Sequence, residues 1–263
     1  MHLVVDVGNT ETVIGIFEPE SLEVSAHWRY ATVVPRTPDE MRILMRGLLE
    51  ADGFRLADVG RIVIGSVVPV QTDLLLRTLN PGADAEIILV EGVSGLPIRL
   101  GVDEPPQGVG ADRIANTLAA AHLYKRDTIV VDLGTATTYD CITGDGVFIG
   151  GVIAPGVMAG EEWLAGRTAK LPRVAFRPPA RVIGRRTESC LQSGIFYSVV
   201  DAVDGLVSRI VEEWGKPDIR VVATGGHATS VAPHSTRIVE VAPHLTLMGL
   251  ELAGSHLARG RGT

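Results

Sequence analysis

The sequence predicts an α/β protein built from two duplicated halves. Three observations carry this. Strand-like and helix-like segments alternate through both halves of the chain, the order that gives layered α/β folds. The run VVDVGNTET (4–12) returns as VVDLGTATT (130–138), placing Val4, Val5, Asp6, Gly8 and Thr12 over Val130, Val131, Asp132, Gly134 and Thr138. The offset of 126 residues is nearly half of the 263-residue chain. That is too long for a solenoid unit and fits a duplicated domain. The halves are placed at 1–115 and 116–263, with a cleft between them.

The elements follow in order. Residues 2–7 and 12–17 are β-branched runs around the polar turn GNTE, a hairpin pattern. MRILMRGLLEADGF has apolar residues at helical spacing and stops near Gly53. RIVIGSVVP (61–69) reads as a buried strand ending in proline, VQTDLLLRTLN as a short helix and AEIILVEG as a strand. Residues 92–109 are rich in Gly and Pro and read as a loop. DRIANTLAAAHLYK (112–125) is an alanine-rich helix. The rhythm then repeats: strand TIVVDLG, then TTYDCITG and GVFIGGVIAPG, helices around 156–167 and 187–214, strand IRVVATGG (219–226) and a last helix over about 246–258.

Composition narrows the function. Apolar residues make up 46% and charged residues 21%, so the chain can bury a sizeable core. The net charge of −7 and pI near 5.5 argue against a general nucleic-acid binder, which needs clustered Lys and Arg; no basic run exceeds GRRT. Cys141 and Cys190 are too few for a zinc cluster or a disulfide framework, and a reducing cytoplasm is expected. No secretory signal is evident, and no apolar run approaches a membrane span. His227, His234 and His244 form no metal spacing and read as packing or solvated residues. Trp28, Trp163 and Trp214 also read as packing residues.

The repeated turn suggests phosphate chemistry. Glycine lets a backbone approach a ligand, and amide N–H groups in a tight turn form a concave anion site. Asn9, Thr10, Thr135 and Thr137 add donors, and an aspartate at each strand end can hold a cation or its water shell. Gly225–Gly226, closing the strand VVATGG, would let an adenosine lie against the backbone. The chain has neither a P-loop nor a G-x-G-x-x-G after a strand, which argues against P-loop kinases and dinucleotide-binding domains.

The order of Asp-x-Gly hairpin, second Asp-x-Gly-Thr hairpin and Gly-Gly resembles the actin, hexokinase and heat-shock-chaperone ATPase superfamily. Within it, DVGNTETVIG (6–15), SVVP (66–69), GADRIANTLAA (110–120), DLGTATTYD (132–140), GGVIAPG (150–156), TESCLQSG (187–194), ATGG (223–226) and LTLMGL (245–250) resemble type III pantothenate kinases over nearly the whole chain. GADR is the most diagnostic of these. The resemblance implies two actin/ribonuclease H-like domains. It also implies transfer of the ATP γ-phosphoryl group to pantothenate, a divalent cation such as Mg²⁺ together with a monovalent one (K⁺ or NH₄⁺), and a homodimer. One departure stands out: many members carry a tyrosine shortly before GADR, whereas RLGVDEPPQGVGADR has no aromatic near Val102 and Asp103.

The resemblance also assigns roles. ATP phosphates are expected at Asp6, Val7, Gly8, Asn9, Thr10, Glu11, Thr12 and Val13, and at Thr135. Pantothenate is expected at Gly110, Ala111, Asp112, Arg113 and Thr187, and the monovalent cation at Asp132. Asp112 would be the general base, because a primary alcohol is a weak nucleophile that a nearby carboxylate can orient and deprotonate. Read alone, it is more simply a first-turn carboxylate favouring the helix dipole, and only the family setting of GADR makes it the base. Arg113 could clamp a carboxylate or be a surface arginine, Thr187 could bind substrate or cap a helix, and Asp140 could support the second hairpin. Three further functions stay open: a kinase for another small alcohol, a non-catalytic accessory transcription factor of the same family, and a phosphatase or ATPase that would take water in place of the alcohol.

Overall fold

The computed structural model describes residues 1–79, 85–103, 105, 108–168 and 170–261. The chain divides into two compact units. The first is Met1–Lys125, Asp145–Phe148 and His244–Thr263, and the second is Arg126–Gly144 and Ile149–Pro243. The change-over lies at Lys125/Arg126 rather than at residue 115. Ala115 is fully buried inside a continuous helix, so a boundary there would cut an unbroken hydrogen-bond ladder.

The first unit holds β1 (His2–Val7), β2 (Glu11–Phe17), β3 (Val24–Ala31), β4 (Arg61–Ser66) and β5 (Glu86–Val90) in the sheet order β3-β2-β1-β4-β5. β1, β2 and β3 form an antiparallel meander, while β4 and β5 run parallel to β1. Side chains alternate across the sheet. Leu3, Val5 and Val7 face one side and pack with Met41, Met45 and Leu49 of α1 (Pro38–Ala51). That helix starts at a capping box, in which the Glu40 amide donates to Thr37 Oγ1 and the Thr37 amide to Glu40 Oε2. α2 (Pro69–Leu79) begins at Pro69, so the strand read as far as 69 stops at Ser66. Proline at a helix start needs no N–H and already has a helical φ.

β3 has no counterpart among the strands read from sequence. Its residues alternate exposed and half-buried, with only Tyr30 fully buried, so VSAHWRYA lacks the apolar run that marks the others. The loop read over 92–109 contains the two-residue strand β6 (Arg99–Leu100). Residues 80, 104, 106 and 107 of the segments read there lie outside the described residues.

The sheet's other face carries α3 (Ala111–Tyr124) and α7 (Leu245–Arg261). A β-carbon on Gly249 of α7 would stand 1.9 Å from the Ala115 carbonyl oxygen of α3. The helices therefore meet backbone to backbone, with the Thr246 hydroxyl donating to Asn116 Oδ1 at 2.9 Å beside the contact.

The second unit contains β7 (Thr128–Leu133), β8 (Ala136–Ile142), β10 (Arg220–Thr224), β11 (Glu240–Val241) and most of β9 (Val147–Pro155). Its sheet order is β11-β10-β7-β8-β9-β6, where β6 pairs only with Val147 and Phe148. Without β6, the order β9-β8-β7-β10-β11 repeats that of the first sheet, strand for strand. β7 and β8 are antiparallel, as are β1 and β2, and β10 and β11 run parallel to β7. The helices are α4 (Ala159–Arg167), α5 (Thr187–Trp214) and the short α6 (Ala228–Val231). α5 lays Phe196, Val200, Val203 and Val207 on Ile129, Val131 and Leu133.

Trp28 and Trp214 pack against the two cores, but Trp163 is 63% exposed, which corrects its reading as a packing residue. His227 and His234 lie edge-on to Phe176 and Phe196, and His244 lies tilted against His27, with ring centroids 4.4 Å apart. Among the described residues no helix is long and apolar enough to cross a membrane.

The α3–α7 contact can be tested directly. Gly249→Ala forces a methyl group into backbone and should cost about 1–3 kcal/mol, as overpacking does. The melting temperature of the first unit should fall by several degrees, at roughly 2–4 °C per kcal/mol. An unchanged melting temperature would contradict the close approach.

Candidate active site

Each hairpin is a strand, a glycine turn and a return strand. In the first, Asp6 pairs with Val13 and Val7 with Thr12. In the second, Asp132 pairs with Thr138 and Leu133 with Thr137. The second turn is therefore one residue shorter, and Thr12 is the structural equivalent of Thr137 rather than of Thr138. Both threonines are buried, and the Thr12 and Thr32 hydroxyls share a hydrogen bond at 2.8 Å. The hydroxyl expected to serve a ligand at Thr137 thus lies in the core, as does that of Thr12 and the side chain of Val7.

Gly8, Asn9, Thr10 and Glu11 form the first turn, closed by the Gly8 amide donating to the Glu11 carbonyl at 3.1 Å. Asn9, Thr10 and Glu11 are exposed, Val13 and Asp6 are half-buried, and the Glu11 carboxylate lies 3.5 Å from Arg29. In the second turn the Gly134 amide donates to the Ala136 carbonyl, leaving Thr135 exposed at the tip.

Two glycines press on this second turn. A β-carbon on Gly156 would stand 1.9 Å from the Thr135 carbonyl oxygen. One on Gly225 would stand 2.4 Å from Asp132 Oδ1 and 2.7 Å from the Leu133 amide nitrogen. Gly225 also has φ +87°, a left-handed conformation that glycine adopts without strain. The glycine pair read as an adenosine seat therefore lies against the aspartate at the end of β7. The His227 amide, two residues on, donates to the Leu133 carbonyl. Behind the turn, burial and then the charge of Asp204 push the Tyr139 phenol up to about 12, so it stays neutral in the core. Asp140 beside it is fully buried.

Asp112 belongs to the first unit, at the same sheet end as the first hairpin. The Val67 amide, just past β4, donates to the Val7 carbonyl at the end of β1. A β-carbon on Gly110 would come within 3.3 Å of the Val67 side chain and 2.4 Å of Asp112 Oδ1. The Asp112 carboxylate thus folds back over Gly110 and accepts from the Arg113 amide at 2.8 Å. Ala111 is buried beneath it. This is the carboxyl end of the parallel strands β1 and β4, where open α/β sheets take ligands.

The Arg113 guanidinium lies over the Phe148 ring, 4.8 Å from its centroid. Such stacking orients a planar cation. Sequence reading missed Phe148, which stands 35 residues downstream and carries no local signal. Phe148 is 1% exposed, so its ring lies buried against the arginine.

Thr187 is exposed at the first position of α5. The cap position is Arg186, and Ser189 Oγ accepts from the amides of Arg185 and Arg186. The reading of Thr187 as a plain helix cap is thereby excluded. Among the described residues no group of three or more His, Cys, Asp and Glu side chains could hold a metal ion. A cation at Asp6 or Asp132 would therefore need oxygens from a bound ligand or water to complete its shell.

The sequence profile of the type III pantothenate kinases matches residues 2–209. The chain belongs to the type III pantothenate kinase family. It is 42% identical over 254 residues to the type III pantothenate kinase of Moorella thermoacetica, covering 96% of this chain and 98% of that one. Two solved structures share the fold at low identity. One is component A of the (R)-2-hydroxyglutaryl-CoA dehydratase of Acidaminococcus fermentans (TM-score 0.57, 15% identity, 100% of this chain and 99% of the other). The other is a ROK hexokinase of Thermus thermophilus (TM-score 0.50, 13% identity, 97% and 99%). The pantothenate kinase family thus sits here on the duplicated actin/hexokinase-like fold that the two matching sheets display.

Gly215 provides a control for the turn. Like Gly225 it has a positive φ, +68°, but nothing lies within 4 Å of its added β-carbon. Gly215→Ala should cost about 1–2 kcal/mol, the left-handed penalty alone. Gly225→Ala should cost roughly 1–3 kcal/mol more through the clash with Asp132 and Leu133. Equal losses in thermal denaturation would refute the close packing of Gly225 on β7.

Proposed function

We propose that the chain transfers the γ-phosphoryl group of ATP to the primary hydroxyl of pantothenate, giving 4′-phosphopantothenate and ADP. This is the first step of coenzyme A synthesis. The observation that carries the reading is the Asp112 carboxylate, held over Gly110 at the sheet end that bears the first phosphate hairpin, in a chain that matches 98% of the length of a relative in this family.

In the first unit, the hydroxyl oxygen of pantothenate attacks the γ-phosphorus while its proton passes to Asp112 and the bond to ADP breaks. Arg113, steadied by Phe148, clamps the pantothenate carboxylate, with Gly110 and Ala111 keeping the loop close. The turn amides of Asn9 and Thr10 hold phosphate oxygens, while Gly8, whose own amide closes the turn on the Glu11 carbonyl, lets the chain approach them. Val7, Glu11, Thr12 and Val13 act there only through backbone and turn shape. In the second unit, Thr135 touches ATP, Gly225–Gly226 seat the adenosine and Thr187 bonds pantothenate. Asp6 would support a divalent cation through water, and Asp132 a K⁺ or NH₄⁺ ion. The divalent ion supplies neutralisation of charge on the phosphoryl oxygens. The enzyme works in the cytoplasm as a homodimer, for which the exposed Ile153 and Trp163 offer apolar surface.

The test is ADP release dependent on pantothenate and not on glucose. No pantothenate-dependent ADP would overturn the reading and favour an accessory, non-catalytic role. Asp112→Asn should lower kcat by about 10²- to 10⁴-fold with ATP binding unchanged. Arg113→Ala should instead raise the KM for pantothenate first, because its clamp acts in ground and transition states alike. Near wild-type kcat in Asp112→Asn would demote that residue to shaping the loop.

Monovalent dependence is a separate outcome. Activity should rise when K⁺ or NH₄⁺ replaces Na⁺. Full activity in Na⁺ alone would remove the monovalent ion from Asp132 without touching the kinase reading.

A further inference from the structure

Residues 170–186 form a strap without regular secondary structure along the first turns of α5. In these 17 residues stand Lys170, Arg173, Arg177, Arg181, Arg185 and Arg186, and no acid. The strap carries +6 within a chain of net charge −7, so the rest carries −13. All six cations are exposed. Arg173 reaches the buried Glu161 at 3.6 Å, while among the described residues the other five make no ion pair. Elsewhere Arg42, Arg55, Arg99 and Arg126 each lie 2.5–2.9 Å from a carboxylate. The strap's charge is therefore not cancelled locally.

Nor does the strap hang free. Gln192 Nε2 donates to the Ala175 carbonyl and Ser193 Oγ to the Val182 carbonyl. Phe176 packs on Phe196, and a β-carbon on Gly184 would stand 2.4 Å from the Cys190 amide nitrogen. These ties fix the strap to Cys190, Gln192, Ser193 and Phe196 of α5. Arg185 and Arg186 immediately precede Thr187, within about 7 Å of it along the chain, inside a Debye length of roughly 8–10 Å at ordinary salt.

We propose that this strap is an electrostatic collector for the anionic substrates. It raises their concentration at Thr187 against the repulsion of an otherwise acidic surface. The proposal rests on Thr187 as a pantothenate contact. Pantothenate, a carboxylate, and ATP, a polyphosphate, share the anionic chemistry the strap would attract.

The test compares wild type with Arg177→Gln/Arg181→Gln/Arg185→Gln, and with Arg42→Gln/Arg46→Gln/Arg55→Gln as a control of equal charge. Each substrate is varied with the other saturating, from low to high ionic strength, using tetramethylammonium chloride at fixed K⁺. In wild type, kcat/KM should fall as salt rises. The strap variant should show about a 10-fold lower kcat/KM at low salt, unchanged kcat and a flat salt dependence. The control should follow wild type. An effect on pantothenate alone, or on ATP alone, identifies which anion is collected. Equal salt slopes in wild type and strap variant would overturn the collector while leaving the kinase intact. So would a loss of kcat accompanied by a change of particle mass in sedimentation, which would assign the strap to a subunit contact. Absence of pantothenate turnover in wild type at every salt concentration would overturn the kinase reading and the collector together.

Discussion

The structure depends on backbone meeting backbone where a side chain would intervene. Gly156 and Gly225 bring two loops onto the turn after β7, and Gly225 does so in a left-handed conformation against Asp132. A methyl group at either place would push the turn outward. The direction of the Asp132 carboxylate and the exposure of Thr135 both follow from that contact. Gly110 plays the corresponding part in the first unit, where the space a β-carbon would fill is taken by the Asp112 carboxylate.

The same constraint ties chemistry to packing at a distance. Asp112 stands in the first turn of α3, and four residues' rise further along, Ala115 and Asn116 meet α7. A helix is stiff over one turn, so whatever sets the α3–α7 separation also sets where the carboxylate stands. Proton transfer tolerates little error, since a misplacement of about 1 Å can cost 10²-fold in rate. The pairing of small residues along this seam therefore bears on catalysis as well as on stability.

Much of the fold was legible because both hairpins combine β-branched strands with glycine turns, a local signal. The duplication was legible for the same reason, α1 through its apolar spacing and α3 through its alanine content. β3 was not, since VSAHWRYA pairs along an edge and buries little. The unit boundary was not, because α7 rejoins the first unit through packing across more than a hundred residues of chain. The turn-length difference was hidden by letters that align at Thr12 and Thr138, whereas register follows hydrogen bonding. Of the candidate site, the two glycine turns and the helix start around Asp112 were legible as local structure. Phe148 was not, because its ring meets Arg113 only in three dimensions. The strap escaped notice because its cations are spaced three or four residues apart through most of its length and form no run.

The return of α7 to the first unit has a consequence for synthesis. When Lys125 leaves the ribosome, the sheet of that unit has strands β1 to β5, but the face awaiting α7 is bare: Val63 and Gly65 have no Gly254 or Leu250 above them. More than a hundred residues must still be translated, taking about 10 s at roughly 5–20 residues per second. During that interval the second unit, whose strands and helices are contiguous apart from one short excursion, can complete its core first. The nascent chain thus matures from its middle outward, and the N-terminal sheet remains open to trapping by other apolar surfaces until the last helix emerges.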